Sequence, residues 1–286
     1  MQLFALTTLD CLVFVSQTVA QDAPRVRRDV VYAESGSATS LDVYAPADGS
    51  ERPIMIWVHG GGWRHGDKKN VLIKPATFNS HGFVFVSINY RLQPGVTYGD
   101  QATDVAQAVR WVHAHAAEFG GAPNRIFIMG HSAGAHLAAL VACDGSYLES
   151  AGLKLSDLQG VILLDGAAYD IPRQLELARL PRMKEMYLEA FGEERDKQLD
   201  ASPITHIAAN KGIPPYLILY VATRRDGQSQ STALAERLTA AGTPTKLVAA
   251  KDKTHATISG DFGQPGDPPT EAAFAFLRDR LEELER

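Results

Sequence analysis

The chain has 286 residues, 45% of them hydrophobic, and a formal net charge of −5. That length suits one large α/β domain with ample core, and an acidic balance without a basic stripe argues against nucleic acid as a partner. Two cysteines, Cys11 and Cys143, are too few for a disulfide framework or a thiolate metal cage.

Residues 3–15 are mostly apolar, and Thr18-Val19-Ala20 before Gln21 supplies the small residues of a cleavage site. Residues 1–20 therefore read as a degenerate signal peptide, which makes the protein secreted or periplasmic. Against this stand the missing basic n-region and Asp10 within the apolar run; an unstructured leader on a cytoplasmic protein is the alternative. The run is too short and too broken to span a bilayer, so no stable membrane insertion is expected.

Residues 29–32 and 40–44 read as two strands joined by a Gly-Ser turn, an antiparallel sheet edge. Strands and helices then alternate: a buried strand at 54–58, a helix at 71–81, a strand at 83–88 and a long helix at 100–119. Val105, Ala108, Val109 and Val112 lie at helical spacing along that helix. A strand at 125–129 and a small-residue helix at 135–142 follow, then strands at 161–164, 216–220 and 246–250 and a closing helix at 271–284. Continuous apolar strands alternating with helices predict a mostly parallel sheet covered on both faces. Residues 172–203 break the alternation with two helical patterns, either a small cap or a longer surface connection.

Two motifs carry chemistry. Gly130-His131-Ser132-Ala133-Gly134 joins a buried strand to a helix, the context of a nucleophile elbow. Glycine on either side admits the sharp turn that exposes the Ser132 hydroxyl. His59-Gly60-Gly61-Gly62-Trp63 follows the first buried strand, and three successive glycines allow N–H groups to point at a developing oxyanion. The N–H groups of Gly61, Gly62 and Ala133 are the expected donors. Trp63 is a candidate substrate-binding residue, or a packing anchor.

A serine nucleophile needs a base, and the base an orienting acid. Of nine histidines, His255 lies just past the last strand, in the chain order Ser…Asp…His. His59 shapes the glycine loop, His131 points away from its neighbour, and His136 is packed. Asp226 is the only carboxylate in the loop after strand 216–220 and is the expected acid, with Asp165 and Asp170 in reserve.

The motifs at 59–63 and 130–134, with Asn89-Tyr90-Arg91-Leu92, resemble the α/β-hydrolase superfamily, in the branch related to hormone-sensitive lipase and to feruloyl and acetyl esterases. The resemblance covers 29–284, so 29–286 is expected to form one hydrolase domain with 172–203 as a possible cap. It implies an eight-stranded, mostly parallel sheet and a Ser132–Asp226–His255 triad. It also implies hydrolysis of a carboxylic ester through an acyl-enzyme, with no cofactor and no metal. The loop at 221–226 departs from the His-Gly-x-x-Asp pattern common at this strand end. Lacking a long apolar lid, the chain suits small, short-acyl esters as substrate. The alternatives are an N-formyl amide hydrolase resembling kynurenine formamidase and a non-catalytic binding protein on the same fold.

Overall fold

The computed structural model describes residues 25–286; the leader at 1–20 and Cys11 lie outside the described residues. Eight strands form one sheet: β1 (Arg25–Val31), β2 (Ser40–Ala45), β3 (Arg52–Val58), β4 (Val84–Ile88), β5 (Gly121–His131), β6 (Leu158–Leu164), β7 (Tyr216–Val221) and β8 (Thr245–Ala250). Their spatial order is β1-β2-β4-β3-β5-β6-β7-β8. Only β1 and β2 run antiparallel to their neighbours; every pairing from β4 through β3 to β8 is parallel. The chain has the α/β-hydrolase fold expected from its sequence.

Alternation along each strand builds a core on each face. Ile54, Ile56 and Val58 point to one core, with α2 (Tyr98–His115), α3 (Ala133–Cys143) and α8 (Arg225–Ala240). Met55 and Trp57 point to the other, shared with α1 (Lys74–Ser80), α9 (Thr257–Gly260) and α10 (Pro268–Leu284). Helix α2 starts at a capping box in which Thr97 and Asp100 satisfy each other's backbone N–H groups.

Two differences from the sequence reading bear on the site. The excursion after β6 contains three short helices rather than two: α5 (Ile171–Leu177), α6 (Pro181–Phe191) and α7 (Arg195–Asp200). Helix α4 (Gly145–Ser150) lies earlier, between α3 and β6. The second difference is α8, which begins almost directly after β7 and leaves only residues 222–224 between strand and helix.

The strand order reverses between β3 and β5, because the chain runs from β3 to β4 on one side and then crosses to β5 on the other. Such a switch point leaves a crevice at the carboxyl ends of the strands. The glycine loop leaves β3 there, and the elbow leaves β5, with Val58 in register with Gly130.

Candidate active site

Ser132 sits between β5 and α3 with φ 55° and ψ −119°, a conformation that a residue with a side chain adopts only under strain. Its N–H donates to Leu164 O at 3.0 Å, which ties the elbow to the end of β6. Crowding explains the flanking glycines. A Cβ on Gly130 would lie 2.2 Å from Gly134 O, and one on Gly134 2.2 Å from Val58 O. The helix therefore packs backbone to backbone against β3, with its N-terminus at Ser132.

The Ser132 hydroxyl donates to His255 Nε2 at 3.0 Å, and His255 Nδ1–H donates to Asp165 Oδ2 at 2.6 Å. Asp165, with its backbone at φ 47°, directly follows β6 and is fully buried. Val221 N–H donates to its other oxygen at 2.9 Å. Burial alone would push the Asp165 carboxyl up, but His255, Arg224 and the Val221 N–H hold it below the usual carboxylate range.

The expected contact between Asp226 and His255 is not made, and Asp165, the reserve candidate, takes its place. The cause is the short β7–α8 connection. Asp226 falls in the first turn of α8, where a carboxylate suits the helix N-terminus. There it accepts from Arg224 Nη2 at 3.1 Å and Gln174 Nε2 at 3.2 Å. Asp170, the second reserve, caps α5 by accepting from Arg173 N–H at 3.1 Å.

The glycine loop lies against the elbow. A Cβ on Gly60 would meet His131 O at 2.8 Å and Ser132 Cβ at 3.0 Å. Gly61 and Gly62 follow, both at positive φ, so the backbone curls beside Ser132. Met186 of α6 covers the loop, its Sδ 3.1 Å from where a Gly62 Cβ would be. Trp63, read as a substrate-binding residue or a packing anchor, is packed into the core on the α2–α3 face. It is 3% exposed, wedged edge-on against His136, Tyr187 and Phe191, and its Nε1–H donates to His136 Nδ1 at 3.2 Å.

Two histidines do more than the sequence suggested. His136 Nε2–H donates to Ala201 O at 2.8 Å, so one buried ring links α3, the glycine loop and the end of α7. Burial lowers its pKa to about 4, which keeps the ring neutral. The His131 ring lies 4.7 Å from that of His255, and its Nε2–H donates to the backbone carbonyl of His255 at 2.8 Å. Burial and the neighbouring His255 push His131 down to about 3, leaving it a neutral donor. No periodicity or motif signals either bond, because both reach across long stretches of chain.

Known proteins resemble most of this chain. A probable carboxylic ester hydrolase, LipM of Mycobacterium tuberculosis, is 33% identical over 206 residues, which is 67% of this chain and 46% of LipM. A probable isoprenylcysteine α-carbonyl methylesterase of Arabidopsis thaliana, ICMEL1, is 28% identical over 82% of this chain and 52% of its own length. The chain thus spans about half the length of these curated relatives. Among solved structures, the butyrate-bound esterase Est2 of Thermogutta terrifontis superposes with a TM-score of 0.70 at 26% identity, covering 93% of this chain and 95% of that one. The BD-FAE family model matches residues 41–238, well over half of the chain and inclusive of the glycine loop, the elbow and Asp165, and the chain belongs to that family.

Proposed function

We propose that the protein is a serine carboxylesterase acting on small, short-acyl esters through an acyl-enzyme. The observation that carries this reading is the continuous chain from Ser132 Oγ to His255 to Asp165, at 3.0 and 2.6 Å, beside the glycine loop. His255 removes the Ser132 proton as Oγ attacks the ester carbonyl, and Asp165 holds the imidazole and stabilises its cation. The N–H groups of Gly61, Gly62 and Ala133 receive the oxyanion, each donor contributing ~3–4 kcal/mol to the transition state. His255 then protonates the leaving alcohol and activates the water that releases the acid.

The short-acyl preference rests on the surroundings. Residues 172–203 act as a small cap, because α6 lays Met186 over Gly62 and fills the space above Trp63 with Tyr187 and Phe191. Beside the glycine loop is a cavity of about 470 Å³ whose walls include Arg64, Arg182, Glu185 and Glu189. Charged walls beside Gly61 and Gly62 suit a soluble ester better than an alkyl chain. The butyrate of the similar esterase Est2 points the same way. In a series of p-nitrophenyl esters, acetate to butyrate should be cleaved faster than chains beyond about ten carbons, since methylenes that a small pocket cannot accommodate meet steric limits and gain no binding. Faster turnover of the long chains would overturn the substrate assignment. Cleavage of N-formylkynurenine without ester cleavage would reassign the enzyme as a formamide hydrolase.

A further inference from the structure

Arg224 occupies an unusual place for a cation. Its Nη1 donates to Asp165 Oδ2 and, at 3.1 Å, to the Asp165 carbonyl oxygen. The same Nη1 lies 2.7 Å from His255 Nδ1, so guanidinium and imidazole are two donors sharing one carboxylate oxygen. On its other edge, Nη2 donates to Asp226. A lone carboxylate against Nδ1–H would offer the imidazolium a full negative charge; here a guanidinium in contact with that carboxylate cancels most of it. The carboxylate of Asp226 returns one net negative charge to the cluster.

We infer that Asp165, Arg224 and Asp226 form a carboxylate–guanidinium–carboxylate unit that sets the protonation of His255, which makes Arg224 and Asp226 positioning residues of the base. Asp226 acts without touching the imidazole: it orients the guanidinium and offsets its charge. Gln174 of α5 donates to both Asp226 Oδ2 and the Tyr187 hydroxyl at 3.2 Å, so the unit is anchored to the helices above the site. The other charged or titratable groups around His255 do not duplicate it. His131, from the end of β5, is neutral. Lys253, on the loop of His255, is paired with Asp261 and Asp267. Lys74, from α1, donates to Ser259 O at 2.6 Å beneath that loop.

The unit predicts shifts of opposite sign. Removing the cation with Arg224→Met leaves two carboxylates facing the ring, so the His255 titration midpoint should rise by about two pH units. Removing the outer charge with Asp226→Asn leaves the Asp165–Arg224 pair without net charge, so the midpoint should fall by about one pH unit. Arg224→Lys keeps the charge and should stay near the wild-type value. The midpoint is read by NMR on the full chain with labelled histidine, the His255 ring signal being identified by its loss in His255→Asn. Asp226 is partly exposed, so Asp226→Asn keeps the test decisive if Arg224→Met fails to fold. Shifts of the same sign, or a folded Asp226→Asn whose midpoint does not fall, would overturn the inference. Its significance for turnover rests on the esterase reading, and the acid limb of kcat/KM for p-nitrophenyl acetate should follow the ring midpoint. Ring shifts as stated in a protein that cleaves no ester would instead sink the esterase reading and leave the unit standing.

Discussion

The elbow and the base–acid side of the site are built in different ways. At the elbow, the proposed nucleophile, the strained backbone and the flanking glycines come from five consecutive residues, and close packing of α3 on β3 leaves them no alternative shape. Across from it, the proposed base and acid come from loops ninety residues apart and are brought together by side chains: His131 on the carbonyl of His255, Arg224 on Asp165, Lys74 beneath the loop of His255. A locally encoded feature tolerates little variation in sequence. A feature assembled by long-range contacts can move its acid from one strand end to another and still hold the imidazole.

The comparison can be broken first at the serine. Ser132→Ala should lower kcat by a factor on the order of 10⁶ with the fold intact, as expected when a serine nucleophile is lost; turnover close to wild type would remove the elbow from the chemistry. On the other side, Asp165→Asn should lower kcat by a factor of order 10⁴ near neutral pH, since the amide favours the wrong imidazole tautomer. A larger loss in Asp226→Asn than in Asp165→Asn, measured in the same assay, would return the acid to the β7 end.

His131→Leu removes only the bond across the gap, a neutral hydrogen bond of ~1 kcal/mol. We expect kcat to drop by about fivefold to tenfold at unchanged KM. His131→Gln, which can present its amide N–H to the same carbonyl, should recover much of that. A loss in KM alone would mean that the ring serves substrate binding instead. The smallest effect concerns stability. Burial lowers the Lys74 ammonium to about 8 from its ordinary 10.5, so between these values the unfolded chain binds more protons than the folded one. Folding stability from this group is therefore gained as pH rises through that window and missing below pH 8. Lys74→Met should stabilise the fold at pH 7 by about 1–2 kcal/mol once the lost bond to Ser259 is counted, read as a higher Tm, and the advantage should shrink by pH 10. An advantage independent of pH would show that the gain comes from packing rather than charge.

Most of the scaffold was legible because its signals are short-range. Continuous apolar strands such as 54–58 and the spacing of Val105, Val109 and Val112 lead directly to the sheet and α2. Ser132 and His255 could be read from a motif and from chain order. Asp226 misled because a lone carboxylate after β7 matches the common position of the acid, while nothing in the sequence shows that α8 starts within four residues of the strand. A signal was present in the absent His-Gly-x-x-Asp loop: without its extra turn, a carboxylate at 226 is carried into a helix and faces an arginine. Asp165 had no motif of its own, since a residue at the end of a buried strand becomes an acid only when a distant loop lays a histidine against it.

Trp63 has a practical consequence. Its indole is enclosed by two aromatic rings and a neutral imidazole, directly after Gly61 and Gly62 and under α6. Trp57 lies on the opposite face of the sheet beneath the Lys74 ammonium, and Trp111 is stacked on His115 along α2. The protein thus carries an intrinsic fluorophore at the junction of glycine loop and α6, and replacing the other two tryptophans with phenylalanine would leave an optical signal that originates within a few ångströms of the loop where the ester carbonyl is expected to bind.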